Sequence, residues 1–260
     1  MRTRSEAERP HYFGVNNELF GLYHSAAVPI TRAVLLCPPL GQDMVRCHRL
    51  YRLLAQALAA DGLAALRFDY YGSGDSAGNS VDVDWSNCIA NTLAAADELR
   101  ALSGCGRVVA FGARLGGNIA LSAAAGARFA GLVMWDPVLD GVAHVARLDE
   151  LQTALQQDMK RFIRPRSATA VVNQWLGYTV GPGLRQQLVD LHLEPPAVPT
   201  LLLDSAPRLA ARERGCLIAA GVTVATLQQP TAWDELDRLE LAILSPELIQ
   251  AVGRHLREVE

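Results

Sequence analysis

Hydrophobic positions along this chain switch between short continuous runs and longer stretches with helical spacing. Ala33-Val34-Leu35-Leu36-Cys37 is an apolar run stopped by Pro38-Pro39, and Leu63–Phe68, Val108–Phe111 and Leu132–Trp135 repeat the pattern. Runs this short, with no polar alternation, read as strands buried on both faces of a sheet. Between them, Asp43 to Asp61 sets Leu50, Leu53, Leu54, Ala57 and Leu58 at helical spacing, while Asp84–Leu102 and Gly116–Ala127 predict two further helices. Tyr12 to Tyr23 alternates around Asn16-Asn17 and predicts an N-terminal hairpin. Strands and helices in this order predict an α/β fold with a mostly parallel central sheet and helices on both faces.

The regularity breaks over residues 139–197. Amphipathic helical pieces, Pro165, the Gly177–Gly183 loop and Pro195-Pro196 follow one another there, and no strand is predicted. Val198–Leu203 and Val222–Leu227 then resume the sheet, with Leu209–Ala220 as a helix between them. Pro246 opens a last helix reaching about Val259, proline being favourable in a first turn. The expected organisation is a core of residues 1–138 and 198–260 with a helical cap, 139–197, inserted over the C-terminal sheet edge. Ligands of open α/β sheets bind at that edge.

Composition narrows the function classes. The net charge is -3 and 20% of residues are charged, so neither a nucleic-acid surface nor an acidic tail is implied. No apolar run is long enough to span a membrane, and Met1-Arg2-Thr3-Arg4-Ser5-Glu6 leads into no apolar stretch that would signal secretion. Five scattered cysteines without a C-x-x-C pair fit a reducing cytoplasm. No His, Cys or acidic residues show metal-ligand spacing, and no cofactor is expected. Lys160 is the sole lysine, and alanine is abundant, as in proteins of GC-rich bacterial genomes.

The chemistry concentrates in Phe111-Gly112-Ala113-Arg114-Leu115-Gly116-Gly117. This is the frame of a nucleophile elbow, G-x-S-x-G, in which a strand turns sharply into a helix and the central residue projects over the sheet. Arg114 stands where the serine belongs. Its guanidinium keeps its proton at any working pH and cannot attack a carbonyl.

Together with this elbow, Asp69-Tyr70-Tyr71-Gly72-Ser73-Gly74-Asp75-Ser76 is similar to the D-x-x-G-x-G-x-S turn of the α/β-hydrolase superfamily, and Pro38-Pro39-Leu40-Gly41-Gln42 sits where its oxyanion loop lies. With His48-Arg49, Leu66-Arg67-Phe68, Trp135-Asp136-Pro137-Val138 and Leu176-Gly177-Tyr178, the chain resembles the serine-aminopeptidase-like group that includes the exosortase-system-associated hydrolases. The resemblance implies the α/β-hydrolase fold over essentially the whole chain. It also implies a Ser, acid, His order that this sequence does not fill. Asp204 falls early, at a strand end; the loop from Gln228 to Leu244 has Trp233 and Asp234 at its middle and no histidine; His255 lies deep in the last helix.

Other groups remain as candidates. His48, Ser73 and Ser76 are the candidate catalytic residues, although serines in glycine-rich turns commonly bond their own backbone. His144 lies at the base of the cap, and Cys37 and Cys47 flank the oxyanion loop as packed thiols. Leu40, Gly41, Gln42, Arg114, Leu115, Asp136 and Trp233 are the candidate binding residues. Arg114 has two compatible readings. One is an ion pair with Asp136 or, failing that, Asp69 or Asp75. The other is an anion site shared with the helix N-terminus. Trp135, Trp175, Trp233 and Tyr178 are expected around an apolar pocket or within plain core. The expected role is binding or assisting with an acyl- or carboxylate-bearing small molecule, within a biosynthetic pathway. The alternatives are an ester or thioester hydrolase, transacylase or cyclase/lyase with an unusual constellation, and a structural partner of another enzyme.

Overall fold

The computed structural model describes residues 8–26, 32–158, 173–205 and 209–258. Met1–Glu6, Lys160, Pro165, the Ala206-Pro207-Arg208 stretch and Val259 lie outside them. An eight-stranded sheet runs through the molecule. Its strands in chain order are β1 (Glu8–Phe13), β2 (Leu19–His24), β3 (Ala33–Cys37), β4 (Ala64–Phe68), β5 (Val108–Ala113) and β6 (Gly131–Trp135), then, after the small hairpin strands β7 (Gln174–Trp175) and β8 (Tyr178–Thr179), β9 (Thr200–Ser205) and β10 (Thr223–Leu227). Their spatial order is β1-β2-β4-β3-β5-β6-β9-β10. The β1–β2 hairpin joins antiparallel, and the other six strands are parallel.

Side chains alternate along β5 as a doubly covered strand requires. Val108 and Ala110 face α2 (Trp85–Ser103) and α3 (Leu115–Ala123), whereas Val109, Phe111 and Ala113 face α1 (Gln42–Ala60) and α7 (Pro246–Glu258). Leu50, Leu54 and Leu58 of α1 recur at helical spacing and bury against the same layer as Leu248, Val252 and Leu256 of α7. α2 starts where Asp84 accepts hydrogen bonds from the Ser86 and Asn87 amides, and stops at Gly104 in a left-handed conformation.

Three boundaries differ from the sequence reading. α3 ends at Ala123 rather than Ala127: the alanine run continues the apolar pattern, but Arg128 takes φ 50° and reverses the chain into β6. β9 begins at Thr200 and keeps Asp204 and Ser205 inside the strand. Between β6 and β9 lie α4 (Gly141–Gln157), the β7–β8 hairpin and α5 (Pro182–Val189), so this stretch does contain strands. Leu176, at φ 49°, and Gly177 form the hairpin turn, whose two-residue strands are too short to show alternation in sequence. α6 (Ala211–Ala219) covers Met134 and Leu202 through Leu217.

Candidate functional site

The turn from β5 into α3 is as sharp as its glycines imply. A Cβ on Gly116 would stand 2.5 Å from the carbonyl oxygens of Cys37 and Pro38, and one on Gly112 would collide with the Gly116 backbone. Only glycine lets these backbones meet. Tyr51 ties the neighbouring strand ends: its hydroxyl donates to the Cys37 carbonyl at 2.9 Å and accepts from the Ala113 amide at 2.9 Å. Between these fixed points Arg114 sits at φ 50°, ψ -131°, a region a non-glycine residue occupies only when its surroundings hold it.

Arg114 is buried, with 7% of its surface exposed, and its charge is met twice. Nε lies 3.4 Å from Asp43 Oδ2, and Nη2 lies 3.6 Å from Asp234 Oδ1. The guanidinium also covers the Trp233 ring at 5.4 Å. The expected contact with Asp136 does not form, and Asp69 and Asp75 are not its partners either. Asp136, buried at φ 44°, accepts from the Ser205 amide at 2.7 Å, from the Ser205 hydroxyl, and from Trp233 Nε1 at 2.7 Å. β5 has two neighbours, β3 and β6. The acid that reaches Arg114 comes from the helix after β3, while the acid after β6 turns toward β9.

The loop after β10 is fastened to the first turns of α1. Arg46 donates from Nη1 to the Trp233 carbonyl at 2.7 Å, from Nη2 to Ala232 at 2.6 Å and from Nε to Leu241 at 3.3 Å. The Gln42 side-chain amide donates to the Leu239 carbonyl at 2.6 Å. Burial pushes the Asp43 carboxyl up from its ordinary range, opposed by the nearby Arg114 and Arg46 charges.

A cavity of about 140 Å³ opens beside the elbow. Leu40, Gly41, Gln42, Asp43, Ser73 and Leu115 form its floor and rim, and Trp175, Tyr178, Leu184 and Leu188 its apolar side. Among the predicted binding residues, Leu40, Gly41, Gln42 and Leu115 are therefore brought together here. Arg114, Asp136 and Trp233 stand behind the floor, outside the lining. Trp233 and Trp135 are buried core, their rings 4.8 Å apart.

Two catalytic candidates are displaced. His48 is exposed on the outer face of α1 and does not line the cavity, because one helical turn carries it away from the oxyanion loop. Ser76 is committed to the fold: its hydroxyl donates to the Asp69 carbonyl at 2.6 Å and accepts from the Phe20 amide at 2.8 Å. Ser73 does line the cavity. Cys37 and Cys47 are buried, and burial pushes both thiols up, away from the reactive thiolate.

His144, on the first turn of α4, lines the cavity with only 9% of its surface exposed. Burial first, and then the Arg114 charge, push its pKa down to about 3, so the imidazole is neutral. Nothing local ranks it above the other histidines, since only the folding back of α4 brings it to the cavity beside the elbow. Among the described residues, no group of three or more His, Cys, Asp and Glu stands where it could share a metal ion.

A sheet in this order, with a strand–elbow–helix at its centre and a cavity at its C-terminal edge, defines an α/β hydrolase. The family model described as serine aminopeptidase, S33, matches residues 31–180. The chain belongs to that family. No curated protein matches it in sequence. Solved structures share the fold at low identity. Est1E from Butyrivibrio proteoclasticus, with ferulic acid bound, superposes with a TM-score of 0.64 at 17% identity, over 92% of this chain and 94% of its own. A thermostable carboxyl esterase from Bacillus coagulans, in complex with glycerol, gives 0.64 at 14%, over 97% and 99%. The thioesterase domain from the curacin biosynthetic pathway gives 0.60 at 13%, over 96% and 99%.

Proposed function

We propose that this protein is a non-hydrolytic member of its family that binds an acyl-bearing metabolite at the sheet edge and does not cleave it. The observation that carries the reading is Arg114 on the elbow, clamped by Asp43 and Asp234. A protonated guanidinium has no lone pair with which to attack. The loop that would carry a triad histidine carries Asp234 instead, already turned toward Arg114.

The cavity supports an acyl ligand. Its side is apolar, and Leu115 at its floor is the first residue of α3, whose N–H has no intrahelical acceptor. Such a group suits a carbonyl oxygen. Charge disfavours a free carboxylate ligand: Arg114 already faces two acids, and one of them, Asp43, lines the cavity. The ferulic acid held by Est1E and the ester and thioester chemistry named for the other two structures agree with this ligand class as fold-level analogy. In this reading residues 139–197 act as the cap, and the protein works in a reducing cytoplasm within a biosynthetic pathway. No helix among the described residues is long and apolar enough to cross a membrane.

Incubation with a fluorophosphonate probe and with p-nitrophenyl esters tests the reading. The expected result is no covalent adduct and no turnover, with reversible binding of neutral acyl compounds seen by native mass spectrometry. A stoichiometric adduct on Ser73, the serine that lines the cavity, would overturn it.

A further inference from the structure

The cavity contains one buried polar side chain that the fold leaves without a partner. The His144 ring makes no hydrogen bond or ion pair to any described residue, although its backbone amide bonds the Asp140 carbonyl at 3.0 Å as a normal helical start. Nine-tenths of the residue is buried, and the part left exposed opens on the cavity, a position in which polar groups are normally matched. Its place on the cavity wall means that a bound molecule can supply the match. Close neighbours do not compete for it. The Arg114 charge is held by Asp43 and Asp234, and the Asp136 carboxylate by Ser205 and Trp233.

A neutral imidazole offers one acceptor nitrogen and one N–H donor. The Asp43 carboxylate on the same lining is already turned to Arg114 and the Leu115 amide is itself a donor, so the imidazole is an acceptor that the fold leaves uncommitted. A ligand carbonyl satisfies the amide but leaves the imidazole acceptor empty. A hydroxyl or amide N–H near the carbonyl fills it. Trp175, Leu184 and Leu188 add apolar surface to the same cavity, which suits a tail.

We infer that His144 is the head-group recognition residue of this cavity, selecting uncharged ligands whose polar end carries a hydrogen-bond donor beside an apolar tail. The inference rests on the acyl-binding reading above and adds the chemistry of the ligand's polar end.

Displacement of Nile red from the full-length protein tests it, with 1-octanol and its isomer heptyl methyl ether as competitors. The two match in size and acceptor capacity, but only the alcohol donates. The alcohol is expected to bind about two- to tenfold tighter, the worth of one net hydrogen bond. His144→Phe should keep Nile red binding and abolish the preference, whereas His144→Gln, which retains an acceptor, should preserve it in part. Thermal unfolding of both variants verifies that they fold. Octanoate is expected to compete worse than octanol. Wild-type protein that binds both neutral competitors equally, or a His144→Phe protein that keeps the full preference, overturns this inference alone. Failure of wild type to bind Nile red or either competitor overturns the acyl-cavity reading along with it.

Discussion

Arg114 Nη2 lies 3.6 Å from Asp234 Oδ1, so the elbow and the loop after the last strand are joined by an ion pair. In a working hydrolase of this fold the elbow carries the nucleophile and the loop after the last strand its base. Here the elbow carries a cation and the loop an anion, and the two face each other. Asp43 completes the arrangement from α1, and Arg46 on the next turn anchors the loop that presents Asp234. The cluster Asp43–Arg114–Asp234–Arg46 is internally balanced in charge and fastens three segments at the sheet edge.

Arg114→Ser is expected to give no efficient esterase. A serine without a base is a weak nucleophile, and among the described residues His144 is the only histidine on the cavity wall. The substitution also leaves Asp43 and Asp234 with Arg46 as the cation that remains near them. Removing one member of a buried pair costs about 3 kcal/mol at the lower end of the usual range, appropriate here because both acids keep some solvent contact. Urea unfolding and p-nitrophenyl ester assays check both halves; rapid ester turnover would contradict the first.

Coupling between Arg114 and the acids should follow the observed geometry. In double-mutant cycles to alanine, Arg114 with Asp43 and Arg114 with Asp234 should each show about 0.5–3 kcal/mol of interaction, and Arg114 with Asp136 less than either. Asp136→Ala should still destabilise by about 1–3 kcal/mol, because the Trp233 indole and the Ser205 amide lose their acceptor.

Gly116→Ala should destabilise by about 3 kcal/mol or more, since the added methyl meets backbone carbonyls that cannot swing aside. The thermal midpoint should fall accordingly. An unchanged midpoint would mean that the elbow is wider than described.

Acid should weaken the fold through two buried histidines. His24, held at about 4 mainly by burial and then by Arg67, and His144, at about 3, both lie below their ordinary 6.5. Above about pH 6.5 both are neutral, folded or unfolded, and contribute nothing. Below it the unfolded chain takes up protons that the native state refuses, so stability falls as pH drops toward about 4 for His24 and about 3 for His144. Each histidine adds a slope of about 1.4 kcal/mol per pH unit in its window. Urea titrations between pH 7 and 4 should show His144→Gln with the shallower loss, by one proton's worth of slope.

The order of strands and helices, the elbow and the family were legible in the sequence because each rests on local constraints. An apolar run buried on both faces, a glycine where backbones meet, and an aspartate capping α2 act over a few residues. The chemistry of Arg114 is local in the same sense, since a guanidinium cannot attack a carbonyl wherever it points. The partners of Arg114 were not legible. Strand adjacency allowed an acid from either neighbour of β5, and nothing local announces that the Asp136 carboxylate is taken by Ser205 and Trp233 while Asp43 turns inward. His144 was hidden for the same reason: its burial and its lack of a partner arise only when α4 folds back across the sheet edge. Sequence determines what each side chain can do; which side chains meet depends on contacts between residues as far apart as 43, 114 and 234, and only the packed tertiary structure decides those.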